Sequence, residues 1–209
     1  MVNLDAAFFD LGGVVMASGS PREVSQHFEG GPALVVALLM GPDGDGDHPW
    51  HRIERGELSM VEAWPAIQSL LDEHGITRKA TASAGPGAAE WLINQPVVDA
   101  VVQLREAGVR TSIVTNNAAE LRPRWWPVLA FDELFDDIVD SHEVGMRKPN
   151  PAIYQLAMER VGARDVTRTV FLDDIDRNVV AAHALGMHAI LVGEDPQPAI
   201  DELLALAFG

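Results

Sequence analysis

The chain of 209 residues contains no cysteine. Disulfides, thiol catalysis and cysteine-ligated zinc are therefore excluded. Positive charge is scarce as well: 15 Lys and Arg stand against 31 Asp and Glu, a formal net charge of −16. Such a surface repels nucleic-acid backbones and anionic lipid headgroups, so neither nucleic acid nor a membrane is an expected partner. A small anionic substrate stays compatible, because a bound cation reverses the local sign inside a cleft. Long apolar runs are missing too, and none approaches the ~18–20 residues of a membrane span. The segment from Met1 to Met16 has no basic start and carries Asp5 and Asp10, which makes a poor signal peptide. A cytoplasmic protein is expected, either monomer or homodimer. The apolar fraction of 47% suffices for one folded domain, or a core with a small insert.

Ala6 to Phe9 is a short apolar run ending at Asp10. A run without alternation suggests a strand buried on both faces, as in a parallel sheet. Residues 17–95 read as helix and loop. Pro32–Met40 is an apolar helix candidate, and Ser59 with Glu62 forms a capping box ahead of Trp64, Ile67, Leu70 and Leu71. Gly75 can end that helix. Gly85, Pro86 and Gly87 act as breakers. After Pro96 helices and strands alternate. Val97, Val98, Val101, Val102 and Leu104 suit a helix packed on a sheet. Arg110 to Val114 reads as a strand ending at Thr115. Phe135 to Val139 is a shorter one. Asn150 and Pro151 start a helix. Thr169 to Leu172 reads as a strand ending at Asp173 and Asp174, Asn178 to Leu185 as a helix closed by Gly186, and His188 to Val192 as the last clear strand. This pattern predicts an α/β fold, a doubly wound parallel sheet, with residues 1–16 and 96–209 as core and residues 17–95 as an inserted α-helical cap.

Ligands of such sheets bind beyond the carboxyl ends of the strands, where Asp10, Thr115, Asp173 and Asp174 are predicted to lie. Hydrolysis of a phosphate monoester needs a nucleophile, positive charge on the phosphoryl oxygens and help for the leaving group. Asp10 can attack phosphorus and form an aspartyl-phosphate. Magnesium, held by oxygen ligands from Asp10, Asp173 and Asp174, offsets the repulsion between carboxylate and phosphate. Lys148 supplies fixed charge to the phosphate and to Asp10. Thr115 donates to a phosphoryl oxygen, with Asn116 beside it as a further substrate contact.

Four ordered motifs carry a resemblance. They are Phe8-Phe9-Asp10-Leu11-Gly12-Gly13-Val14, Ile113-Val114-Thr115-Asn116-Asn117, Gly145-Met146-Arg147-Lys148-Pro149-Asn150-Pro151-Ala152-Ile153-Tyr154, and Phe171-Leu172-Asp173-Asp174. In this order they resemble the haloacid dehalogenase superfamily, in the subfamily with a small helical cap. The second and fourth are similar to the N-terminal phosphatase domain of soluble epoxide hydrolase and to bacterial sugar-phosphate phosphatases. The resemblance implies a Rossmann-like core and a magnesium-dependent phosphatase acting on a small phosphorylated metabolite, with Asp10 as nucleophile. It implies that the Gly12 carbonyl and Asp174 bind magnesium, with Asp173 at or just behind the metal.

Gly12 departs from that family pattern. Phosphatases of the superfamily usually carry there an aspartate that protonates the leaving group and then activates water. Three expectations follow: slow turnover, a preference for good leaving groups, or an acid borrowed from the cap, with His48 and His51 as lenders. Two other functions compete. A metal-free 2-haloacid dehalogenase would attack carbon, and it gains little from Asp173 and Asp174. A binding or regulatory protein would have kept the fold and lost turnover. Elsewhere, Asp43, Asp45 and Asp47 resemble a calcium loop but lack its glycine, so Gly41 to Asp47 reads as a mobile, solvated loop. His48 and His51 read as surface histidines, Trp125 and Trp126 as packing residues, and Asp176 and Asn178 as helix-start residues.

Overall fold

A computed structural model describes residues 2–17, 24–42, 44–80 and 92–209. Asp43 and the breakers Gly85, Pro86 and Gly87 lie outside the described residues. Five strands form one parallel sheet in the order β3-β2-β1-β4-β5. They are β1 (Ala6–Phe9), β2 (Arg110–Thr115), β3 (Asp137–Asp140), β4 (Thr169–Asp173) and β5 (His188–Leu191). Each strand begins and ends within two residues of its expected place.

The central strand shows why the apolar runs do not alternate. Ala7 and Phe9 join one hydrophobic cluster and Ala6 and Phe8 another, so both faces of β1 are covered. The first face packs Val97, Val101 and Leu104 from α4 (Gln95–Glu106), and Ile200 and Leu203 from α7 (Gln197–Phe208). Trp125 lies in this cluster with no exposure, edge-on to Phe131 at 5.1 Å, as a packing role requires. The second face packs Ile153, Tyr154 and Ala157 from α5 (Pro151–Val161) and Ala182 from α6 (Asp176–Ala184). The fold is α/β, with helices on both faces of a Rossmann-like sheet. Asn150 caps α5 by accepting the Ala152 N–H at 3.0 Å.

Between β1 and β2 the described chain is helical: α1 (Pro32–Met40), α2 (Pro49–Glu54) and α3 (Met60–Glu73). These helices share a separate apolar cluster, which meets the core through Ala118 and Leu121. The capping box forms, with the Glu62 N–H donating to Ser59 Oγ at 3.2 Å and the Ser59 N–H to Glu62 Oε2 at 2.9 Å. The buried stripe of α3 is Ala63, Ile67 and Leu71. Trp64 is 38% exposed, because i, i+4, i+8 spacing selects Ala63 and turns the tryptophan outward. Val102 of α4 faces outward for the same reason.

The loop before α2 is tied down more firmly than a solvated loop. Asp45 pairs with Arg55, and the Gly44 carbonyl accepts a bond from Arg147. His51 is also no surface residue. It is 1% exposed, and its Nδ1 accepts the Gly46 N–H at 3.2 Å. No helix among the described residues is long and apolar enough to cross a membrane.

Candidate active site

Strand order reverses at β1, since β2 and β3 lie on one side and β4 and β5 on the other. The carboxyl ends of β1 and β4 therefore flank the crevice where α/β sheets bind ligands. Asp10 follows β1, and its backbone N–H donates to the Leu172 carbonyl of β4 at 2.8 Å. Asp173 ends β4 and Asp174 comes next. Carboxylate oxygens of the three aspartates lie within 4.8 Å of one another.

Lys148 enters from the loop before α5. Its ammonium lies 2.8 Å from Asp10 Oδ1 and 2.6 Å from Asp173 Oδ2, and the residue is 1% exposed. It also lies 5.3 Å from the centre of the Phe171 ring. The Leu11 N–H donates to the same Asp10 oxygen at 2.7 Å. Asp173 is saturated. It accepts Lys148, the Ile175 N–H at 2.8 Å, and the Asn178 amide at 3.1 Å on both oxygens. The Asn178 carbonyl in turn accepts the Tyr154 hydroxyl at 3.0 Å. Asp174 differs, because its Oδ1 is buried and has no hydrogen-bond partner. Gly13, with φ of 80°, lets the turn after β1 pass against Asp174; a Cβ there would stand 2.3 Å from Asp174 Oδ2.

The electrostatics follow from three carboxylates around one ammonium in a buried place. Burial, together with the Asp173 charge, raises Asp10 to about 6 against the pull of Lys148. Burial and the charges of Asp10 and Asp173 raise Asp174 to about 8. Burial alone would lower the Lys148 ammonium, but Asp10 and Asp173 outweigh it and hold the group above the usual lysine value. An oxygen-only cluster of excess negative charge with an orphaned carboxylate oxygen fits a hard divalent cation.

These shifts predict a pH-dependent stability for the metal-free protein. Asp174 ionises near 3.8 when unfolded and near 8 when folded, so the folded state holds the extra proton between those values. Stability therefore falls as the pH rises through that window. The Asp174→Asn variant in EDTA is expected to melt roughly 3–6 °C above the wild type at pH 8, for ~1–2 kcal/mol, and level with it near pH 4. Thermal melts in EDTA at the two pH values test this. Magnesium should stabilise the wild type more than the variant at pH 8.

The residues expected from the sequence are found at this end of the sheet. Asp10, Lys148, Asp173 and Asp174 meet directly. Thr115 ends β2, is 2% exposed and lies opposite Asp140 in register. Gly12 lies in the turn after Asp10 and forms an isolated bridge with Met16. The Asn116 amide donates to the Lys148 carbonyl at 2.9 Å and accepts the Lys148 N–H at 2.7 Å, so both ends of the side chain grip the Lys148 backbone, with one amide N–H beyond those bonds. Asn178 does more than start a helix: it grips Asp173, a contact with no signature in the sequence. His51 is withdrawn as a lender of protons. Burial, then the nearby Arg147 charge, lower it to about 4, so it is neutral near pH 7.

The haloacid dehalogenase-like hydrolase family matches residues 4–186. Bifunctional epoxide hydrolase 2 of Sus scrofa is 35% identical over 218 residues, covering 96% of this chain and 38% of that protein. Sesquiterpene phosphatase astK of Aspergillus oryzae is 26% identical over 191 residues, covering 87% of this chain and 86% of that protein. The chain spans 19% to 38% of the length of the first relatives it matches. Among solved structures, HAD family enzyme bt-2542 of Bacteroides thetaiotaomicron, in complex with magnesium and inorganic phosphate, has a TM-score of 0.59 at 20% identity, over 92% of this chain and 96% of that one. The L-2-haloacid dehalogenase RSc1362 has a TM-score of 0.68 at 17% identity, over 96% of this chain and 99% of that one, a likeness of fold. A match over most of the chain, with its four motifs meeting at one end of a parallel sheet, places it in a family: the chain belongs to the haloacid dehalogenase-like hydrolases.

Proposed function

We propose that the chain is a magnesium-dependent phosphatase cleaving a small organic phosphate monoester through an aspartyl-phosphate at Asp10. The observation that carries this reading is the buried, unpartnered Oδ1 of Asp174 beside Asp10 and Asp173. Attack on carbon by a lone carboxylate has no use for that extra negative charge, whereas phosphoryl transfer with a divalent cation does. A relative named as a phosphatase, and a solved neighbour holding magnesium and inorganic phosphate, support it.

In this reading Asp10, Asp174 and the Gly12 carbonyl hold the cation. Bound magnesium supplies positive charge against the phosphoryl oxygens. Leu11 and Lys148 hold Asp10 Oδ1, leaving Oδ2 to face phosphorus. With its carboxyl at about 6, Asp10 is mostly ionised at neutral pH. The carboxylate forms a bond to phosphorus as the ester bond breaks, and the leaving oxygen departs with the electron pair. Lys148 stabilises the charge that builds on the phosphoryl oxygens, and Thr115 donates to one of them. Asp173 stays outside the reaction and fixes Lys148. Water then cleaves the acyl phosphate and frees Asp10.

An assay of p-nitrophenyl phosphate with magnesium, with EDTA, and with the Asp10→Asn variant tests the proposal. The expected result is turnover that needs magnesium and disappears in the variant. Halide release from a 2-haloacid in EDTA, with no phosphate release, would overturn it in favour of a dehalogenase.

A further inference from the structure

Lys148 stands in the loop between residues 145 and 150, where no ladder or helix holds the backbone. Its position depends on tethers. Asn116 grips its backbone from the core side. The other tether runs through its neighbour. Arg147 is buried to the same degree, 1% exposed, and its guanidinium bonds into the helical insert. Its Nε donates to Glu54 Oε2 at 2.6 Å, and its Nη1 donates to the Gly44 carbonyl. Glu54 closes α2, is 6% exposed, and uses its other oxygen to accept the Trp50 indole N–H at 2.7 Å.

A buried ion pair is a poor source of stability, since desolvation of both partners offsets their attraction. Its value lies in geometry: a buried guanidinium bonded at two points restrains the backbone that carries it. Here that backbone is adjacent to the ammonium bridging Asp10 and Asp173. We propose that Arg147 is a positioning residue, which through Glu54 ties the placement of the Lys148 ammonium to docking of the helical insert. The charged centre is then complete only when the insert is seated on the core.

The structural part of this inference stands apart from the phosphatase reading; only its kinetic consequence rests on it. The test uses a feature of the composition, for Lys79 and Lys148 are the only lysines in the chain. Amine acylation by an N-hydroxysuccinimide ester, read by peptide mass spectrometry, reports Lys148 against the partly exposed Lys79. In the wild type Lys148 should be strongly protected. Glu54→Gln, which keeps an acceptor for Trp50 and removes the charge, should raise Lys148 labelling roughly tenfold relative to Lys79. Arg147→Met should do the same, and Arg147→Lys should recover part of the protection. On p-nitrophenyl phosphate, Glu54→Gln should lower kcat roughly tenfold with KM little changed. Lys148 protection unchanged in both Glu54→Gln and Arg147→Met would overturn the inference. A wild type without phosphatase activity would sink the functional proposal and leave the labelling result to decide this one.

Discussion

Lys148→Met is expected to lower kcat on p-nitrophenyl phosphate by ~10²–10³-fold and to destabilise the protein at neutral pH by about 3–5 kcal/mol. Both effects come from one geometry. The ammonium is the cation bonded to Asp10 and Asp173, at 2.8 and 2.6 Å, and all three groups are buried. Methionine, one atom shorter, keeps most of the apolar stem and removes the charge, leaving two carboxylates facing each other without compensation. Asp10, already raised to about 6 with the lysine present, should move further up and be largely protonated near pH 7. A protonated nucleophile attacks poorly, and the phosphoryl oxygens lose a fixed positive charge. In a chain of this size the stability loss corresponds to roughly 10 °C in Tm. The sign of its pH dependence is fixed. A carboxyl whose folded pKa is raised destabilises the fold as pH rises and is harmless once protonated, so the deficit should shrink from pH 8 to pH 5. Melts and kcat measured together test this. A variant melting with the wild type at pH 8 and turning over at near wild-type rate would contradict it.

Gly12→Asp should raise turnover of alkyl phosphates by ~10²-fold or more and change that of aryl phosphates far less. An alkoxide leaves poorly without a proton, whereas p-nitrophenolate leaves unaided. The position can accept a side chain without backbone strain, for the positive φ of this turn belongs to Gly13 and not to Gly12. Phosphate release from an alkyl ester, beside p-nitrophenol release from the aryl ester, reads the difference. An equal change on both substrates would point to a general rearrangement instead of a restored acid. The prediction is sharpened by His51, whose buried, neutral ring takes one lender of protons out of consideration.

Most of the core could be read from the sequence, for identifiable reasons. A strand covered on both faces must be apolar throughout, and a strand end facing a crevice is where polar residues collect. Ala6–Phe9 before Asp10 and Thr169–Leu172 before Asp173 satisfy both conditions. Helix α7 was not expected, although Ile200, Leu203 and Ala207 fall at helical spacing, because it lies after the last strand and carries no chemistry. Helix α2 is short and polar, and its start is held by His48, whose Nδ1 accepts the Trp50 N–H at 3.2 Å. The tethers of the site were hidden for a different reason. Nothing in the sequence assigns Arg147 a partner until the fold brings Glu54, 93 positions away in the chain, to within 2.6 Å. Asn116 sits next to Thr115, the expected phosphate contact, and reads as its companion, yet its amide also matches the two backbone groups of a single residue in another loop. Motifs reveal which side chains share a chemistry; which ones hold the others in place depends on long-range packing.

The central claim is that Asp10 becomes phosphorylated, and one measurement addresses it directly. The protein is mixed with p-nitrophenyl phosphate and magnesium, quenched in acid within the first turnover, digested, and read by mass spectrometry. The expected result is one phosphoryl group on the peptide bearing Asp10, lost on treatment with hydroxylamine and absent from Asp10→Asn. Steady release of phosphate with Asp10 unmodified at every time point, or with undiminished turnover by Asp10→Asn, would contradict it.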